Sequence, residues 1–481
     1  MADGTGYRFE PLNRRGVVLG LSLGQLSLLV VAILVAAAIL KRSPGLAGFG
    51  GATGVVMGAA LACRPVAGRT PLYWFGCAVA FAVRGRREVQ RPPVTTVSAA
   101  STLPSVPPSA LPCDPVKPRL PSKTFVPGVF LDELPATGGQ GAVGVVVDAR
   151  EGTAAALLRA RGSAFCLLDG PDKERRLTAW AGVLESISSH RGSLARLQWC
   201  QRARPTATGA LVDHLDETGD RASPGYPGHR AQLEAAGQKA WRHETFLVVT
   251  VRCPAHRRRL DDHAAGVLRE EVRALRTLLR GAGIACDGVL DAAALVGAVG
   301  SFLLPDLDAS PTAHPWPLAS EERWAAVRLE GAWYRTYWVA EWPRSHVGPD
   351  FLSSLLIGRG RRSFSVAMAP VPPELAARDA ESSRTAQMAD AHLRAQGGFL
   401  ETARQRRQVE AVEVREEQLA AGRGAFQFSG FVTVAGSDRE SLQQGCSDLE
   451  RAAGAARLCL RPLFGQQREA LSWALPLGRG I

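Results

Sequence analysis

The sequence is poor in the patterns that carry chemistry. No GxxxxGK[ST] loop occurs in its 481 residues, so no Walker-type phosphate cradle is present. "LPSKT" (Leu120 to Thr124) has the lysine and threonine of such a loop without its glycines. "GGQGAVG" satisfies GxGxxG at Gly139, Gly141 and Gly144, but it opens a strand-like run. A dinucleotide fingerprint follows a strand and opens a helix, so this stretch reads as a turn. There is no GxSxG elbow, no HExxH, and no Cys/His spacing of a zinc site. The nine cysteines form no CxxC pair and read as reduced, buried thiols. His256 and His263 lie near Asp261 and Asp262, and a basic loop with a helix N-cap accounts for that group. No catalytic residue, cofactor or metal is assigned, and the chain is not expected to be an enzyme.

Lysine is also scarce, supplying five of the 57 basic residues. The net charge is nonetheless +12, carried by arginine. Such a balance suits an anionic partner, and nucleic acid is one candidate. The densest basic loops are "HRRR", with Arg257, Arg258 and Arg259, and "GRGRR", with Arg361 and Arg362. These five are the candidate partner or phosphate contacts. Solvated loops are the ordinary alternative.

Most of the long apolar runs lie in the first 85 residues. Residues 17–40 and 46–63 hold no charge and are separated by "KRSPG". Their lengths, about 24 and 18 residues, fit a pair of spans across a bilayer core of about 30 Å, and the small residues of the second allow close helix packing. Arginines before and after the pair exceed the two basic residues between, which predicts a multi-pass protein of the inner (cytoplasmic) membrane with both termini cytoplasmic. Residues 70–88 are expected as an interfacial helix. Residues 92–123 are Pro-rich and read as a semi-rigid linker.

Two α/β regions are expected after the linker, at 124–325 and 326–481. "AVGVVVDA", "AAALLRA" and "SAFCLLD" read as strands, and a helix follows with Leu177, Trp180, Leu184 and Ile187 at helical spacing. "ETFLVVTVRC" is a strand, followed by a helix over 261–279 with Leu268, Val272, Leu275 and Leu279 on one face. "GIACDGV" and "LDAAALVGAVGSFLL" continue as strand and helix. "QFSGFVTVAG", the helix opening at Ser437-Asp438, "ARLCLRPL" and "GQQREALSWALPLG" repeat that order. Trp333, Tyr334, Tyr337, Trp338 and Trp342 fit an aromatic strand ending at Pro343 better than a base-stacking platform. Residues 373–421 read as charged helix. The expected fold class is therefore α+β: an N-terminal two-helix transmembrane hairpin, then cytoplasmic repeated β-α-β (ferredoxin-like) subdomains with long helices.

"HETFLVVTV", "YWVAEWPRS", the "REEQLAAGRGAFQFSGFVTVAG" stretch and "LFGQQREALSWALPLGRG" together resemble type IV secretion and conjugation machinery. The apolar start is similar to a PrgI-type membrane hairpin, and the remainder to the N-terminal, non-ATPase domain of the large transport ATPase. The combined layout resembles an actinobacterial membrane-protein family. The resemblance implies a membrane-anchored scaffold that touches the lipid bilayer and docks a separately encoded P-loop transport ATPase, as a homo-oligomer within a larger membrane complex. It places "LPLGRGI" where the ATPase domain begins in the look-alike proteins. A type VII secretion subunit and a membrane-tethered nucleic-acid-binding regulator are the alternatives.

Overall fold

A computed structural model describes residues 23–42, 45–63, 69–83, 87–89, 125–137, 141–161, 165–189, 193–205, 208–237, 241–254, 259–303, 316–317, 319–358, 360–396 and 403–481. The chain divides into two compact units. The smaller holds residues 10–86 together with Phe464–Gln466. Its helices are α1 (Leu23–Arg42), α2 (Leu46–Cys63) and α3 (Pro71–Val83). Its buried residues are small ones, Ala32, Ala36, Ala52, Ala59 and Cys77, whereas Ile33, Leu34 and Phe75 are exposed.

The expected transmembrane hairpin is overturned here. Among the described residues, no helix is long and apolar enough to cross a membrane. The described helix of the first apolar run, Leu23–Arg42, ends on Lys41 and Arg42, and α2 has 18 residues, at the low end of what a span needs. With the spans goes the inference drawn from them, a multi-pass inner-membrane protein with cytoplasmic termini. Residues 17–22 and the Pro-rich linker lie outside the described residues.

The larger unit is built on one antiparallel sheet of 13 strands. Strand β1 (Arg87–Val89) lies at one edge, against β8 (Ala319–Arg323). A first copy follows as β2 (Val129–Leu134), β3 (Val143–Asp148), β4 (Thr153–Ala160), α4 (Gly170–Ser189), β5 (Leu194–Pro205), α5 (Thr208–Thr218), α6 (Tyr226–Gly237), β6 (Trp241–Arg252), α7 (Asp262–Gly281), β7 (Cys286–Val289) and α8 (Ala292–Leu303). The second copy has the same order: β8 (Ala319–Arg323), β9 (Ala326–Leu329), β10 (Ala332–Glu341), α9 (Ser353–Leu356), β11 (Arg362–Val371), α10 (Pro373–Gln396), α11 (Ala403–Ala420), β12 (Ala425–Gly436), α12 (Arg439–Ala455), β13 (Cys459–Pro462) and α13 (Gln467–Ala474). Strands β6 and β7 flank β4, and β12 and β13 flank β10. Each copy thus contains a β-α-β unit split by an intervening strand. The copies do not form separate ferredoxin-like sheets. They join edge to edge, β5 on β11, which leaves neither of those strands an open edge.

Local chemistry explains the shared elements. Helix α7 buries Leu268, Val272, Leu275 and Leu279 on one stripe, and Asp261 caps it by accepting from the Ala264 N–H at 2.8 Å. Helix α12 buries Leu442, Cys446 and Leu449, and Asp438 with Ser441 forms its capping box. Both helices end on a left-handed residue, Gly283 and Arg457, with the same back-bonded turn: Ile284 N–H to Leu279 O and Leu458 N–H to Ala453 O, each 2.9 Å. The strand expected at Ser163–Asp169 is instead a short 3-10 turn at Phe165–Leu167. Leu167 is exposed there and gains nothing from a sheet position.

Residues alternate across the sheet, so each face has its own core. One face carries α8 and α13 over a single core that spans both copies and includes Leu157, Phe246, Leu295, Tyr334 and Leu471. The other face has two cores. One lies under α4 and α7, and the other under α9 and α12. The segment after α13, Leu475–Ile481, crosses from the second copy to the first. Gln198 on β5, fully buried, receives it: its Nε2 donates to the carbonyls of Trp473 (3.0 Å) and Leu475 (2.9 Å) and to Ser365 Oγ (2.8 Å), and its Oε1 accepts from Gly478 N–H (2.8 Å). Gly478 has φ +71°, and a Cβ there would overlap Thr250 and crowd Ala155. Arg479 Nε then pairs with buried Asp148 at 2.9 Å and with Glu151 at 3.3 Å. Truncating Gln198 strands one buried N–H and two carbonyls, so Gln198→Ala should lose about 3 kcal/mol of stability in a denaturant titration. A loss below about 1 kcal/mol would mean that the segment is held by other contacts.

Candidate functional site

The two copies place a cleft at the same position, beside the first turns of α7 and of α12. In the first copy the cleft is about 790 Å³, and the helix presents Ala264 and Val267 to it. Pro370, Pro372 and Pro373 line the same cleft, with Arg252 and His263 among its polar residues. In the second copy it is about 370 Å³, and the same third and sixth helical positions are Ser441 and Gln444. Arg361 and Arg362 enter this second cleft, with Gly360, Ser437, Gly445 and Asp448.

Of the five arginines singled out in the sequence, the structure therefore brings Arg361 and Arg362 to one cleft. Arg259 is exposed on the loop before α7, and Arg257 and Arg258 lie outside the described residues. Arg362 opens β11 opposite Ala203. Its Nε and Nη2 are buried and have no hydrogen-bond partner. Burial pushes its pKa below the usual guanidinium value, with Asp448 acting in the opposite sense. Asp448 Oδ1 accepts from Gln444 Nε2 at 3.1 Å and from Arg451. Asp438 accepts from the Ser441 N–H at 2.7 Å. That bond and the Ser437 and Ser441 hydroxyls hold its carboxyl below the ordinary range.

A second charged group lies on the opposite face of the sheet, and sequence reading missed it. Arg202 and Glu244 form an ion pair in which each side chain is 7% exposed. The Arg202 Nε–Glu244 Oε2 distance is 2.7 Å. Arg242 and Arg204 approach the same carboxylate at 3.3 and 3.6 Å. Burial alone would raise the Glu244 carboxyl. The arginines, Arg202 foremost, outweigh it and hold it below its ordinary value. Arg202 also sits over the Phe302 ring at 5.1 Å and Arg159 over Phe246 at 5.7 Å.

A row of paired residues crosses the junction as Arg159, Phe246, Cys200, Ser365, Phe431 and Trp338. Read from either end it is nearly the same, with phenylalanine second from each. By this register the second copy has Trp338, Ala367 and Ser429 where the first has Arg159, Arg202 and Glu244, and Trp338 Nε1 donates to Ser429 Oγ at 3.0 Å. The fold accepts neutral residues at these places, so the charges belong to the first copy alone. Cys200, at the centre, is buried and its thiol is pushed up to about 12, which leaves it unreactive. Among the described residues no group of three or more His, Cys, Asp and Glu is placed to hold a metal ion.

No protein-family model matches this chain, and no curated protein matches it.

Breaking the buried pair by Glu244→Gln leaves Arg202 uncompensated and should cost about 3–5 kcal/mol at neutral pH, whereas Arg202→Met with Glu244→Leu should be near neutral. Glu244 has a depressed folded pKa, so its contribution is complete above the unfolded value of about 4.3 and fades as pH falls through the folded value. The gap in unfolding free energy between wild type and Glu244→Gln should therefore narrow on acidification below about pH 4. A gap independent of pH would refute the assignment.

Proposed function

We propose that this chain is a non-catalytic docking scaffold of a type IV-like secretion or conjugative apparatus, with a separately encoded P-loop ATPase as its partner. The observation that carries the reading is the pair of helical insertions. Each copy interrupts the same strand hairpin with two helices: α5 and α6 between β5 and β6, α10 and α11 between β11 and β12. Helices α10 and α11 pack chiefly on each other and are tied by Arg384 to Glu416 at 2.9 Å and Arg415 to Asp379 at 3.6 Å. They leave Met388 and Val414 exposed among charges. A helical pair packed chiefly on itself, with apolar residues in a polar surround, suits protein docking.

The segments that carry the resemblance support the same reading. "HETFLVVTV" is β6, "YWVAEWPRS" completes β10, and "REEQL" lies on α11. All belong to the repeated framework or its insertion. The docked ATPase would supply the nucleotide chemistry for which this chain's sequence has no motif.

The test is to isolate the full chain from its native cells and identify the principal bound protein. A P-loop ATPase is expected. Binding rebuilt from the two pure proteins should weaken at least tenfold when Met388→Glu and Val414→Glu are combined, with unfolding behaviour unchanged. Retained nucleic acid with no ATPase would sink the proposal in favour of a nucleic-acid-binding role.

A further inference from the structure

Helix α7 carries a row of arginines that its counterpart α12 lacks. Arg269, Arg273, Arg276 and Arg280 each follow a buried residue of the core stripe by one place, after Leu268, Val272, Leu275 and Leu279. Steps of four, three and four keep them on one side of the helix, over about 16 Å at 1.5 Å per residue. Like charges at these spacings repel. Among the described residues Arg276 and Arg280 form no ion pair, and Arg273 comes no closer than 3.9 Å to Glu270. Glu271, the next acid along, accepts instead from the Ser193 N–H at 2.9 Å. Aligned on the shared final turn, where Gly283 answers to Arg457 and Leu279 to Ala453, α12 has Gln443, Ser447, Glu450 and Gly454 at the four places. Four positive charges become one negative, so the framework does not need the row. A helix C-terminus favours cations only in its last turn, which accounts for Arg280 alone.

Arg269, Arg273 and Arg276 line one cleft of about 170 Å³, with Gly141 on its other side. The cleft is open to solvent. The Arg273 side chain is 61% exposed, and among the described residues nothing beyond the chain neighbours lies within 4 Å of where a Cβ on Gly141 would stand. Arg269 Nη2 is partly occupied, donating to the Pro135 carbonyl at 2.9 Å. The cleft is smaller than pockets that enclose a whole ligand, and it suits a single phosphate-sized group. The row continues past it to Arg280, so an anion that repeats along a line answers more of the row than one isolated anion does. One strand of a duplex presents about five phosphates over such a length. None of the lining residues is aromatic, which leaves no platform for unpaired bases. The exposed neighbours Gly266, Ala274 and Thr277 are small. They give a protein partner no apolar anchor and let a rigid rod come close.

We infer that the arginine row of α7 binds the sugar-phosphate backbone of a nucleic-acid duplex without reading its bases. The site is independent of the docking proposed above, since α7 belongs to the first copy and the α10–α11 insertion to the second.

Fluorescence anisotropy of the pure full chain with labelled DNA and RNA duplexes, each in two unrelated sequences, is the readout. At least one kind of duplex should bind more tightly than about 10 micromolar at about 50 millimolar salt, with its two sequences within about twofold of each other. Arg273→Gln, Arg276→Gln and Arg280→Gln combined should weaken binding at least tenfold and make the slope of log K against log salt shallower by about 3. The same three positions changed to lysine keep the charge and should bind within about threefold of wild type, which separates lost charge from lost fold. Removing three exposed charges of the second copy, by Arg344→Gln, Arg423→Gln and Arg451→Gln, should cost less than threefold, which separates the row from the net charge of +12. Met388→Glu with Val414→Glu should leave duplex binding unchanged, so this inference and the docking proposal fail separately. The inference fails if neither duplex binds, if the glutamine triple variant binds as wild type does, or if the second-copy variant loses as much. It also fails if a single strand or polyglutamate binds through the row more tightly than either duplex.

Discussion

Everything in the larger unit depends on the antiparallel pairing of β5 with β11. It turns two half-structures, each with an open strand edge, into one sheet. Corresponding strands meet there head to tail, which is what a twofold relation between the copies demands. Backbone bonds alone leave such a junction free to slip, because strands slide in steps that keep the same residues on the same face. Gln198 removes that freedom. Its amide spans from Ser365 on the neighbouring strand to the chain that follows α13. A slip of two residues would separate it from all of these partners at once.

The same relation explains how the copies diverged. A duplicated framework holds each position twice, so a residue required by the fold should recur and a residue free to vary need not. The phenylalanines recur, as Phe246 and Phe431. So do the capped helices and their left-handed ends. The arginines do not. Arg202 and Glu244 occupy one copy on one face, and Arg361 with Arg362 the cleft of the other copy. Charges that are buried or half-buried, and absent from the equivalent place, are poorly explained by stability, since apolar replacements of buried pairs are commonly neutral or better. They are where specific recognition is best sought.

How much of this was legible depended on distance along the chain. The stripe of α7, its Asp261 cap, the α12 start at Asp438 and the aromatic strand ending before Pro343 all come from patterns within a dozen residues, and each stands where the sequence places it. The repeat of strand, helix, strand and helix was legible twice for the same reason. The β5–β11 contact joins residues 159 to 171 positions apart, and no local pattern specifies it. Arg202 and Glu244 each sit on a strand, but their meeting depends on a hairpin interrupted by two helices. The N-terminal expectation failed differently. A charge-free run of about 24 residues predicts a span, whereas no described helix is long and apolar enough to cross a membrane, and α1 carries Lys41 and Arg42 at its end.

The "LPLGRG" segment shows how a motif changes meaning once its partners are known. In isolation it reads as a turn on the way out of a domain, because proline and two glycines break a helix after Ala474. In the fold each of those residues answers a neighbour. Leu475 and Leu477 enter the common core. Gly478 supplies the positive φ and the bare Cα that let the chain lie against Thr250 and Ala155. Arg479 reaches Asp148, which is 1% exposed. Asp148 in turn accepts from the N–H groups of Arg150 and Glu151 in the β3–β4 turn, so the segment fastens to that turn of the other copy. Tyr334 of the second copy donates to the Leu303 carbonyl at the end of α8, a reciprocal tie across the same face. Neither copy can open without releasing the other, and the junction that makes the sheet continuous is thereby covered by the chain it joins.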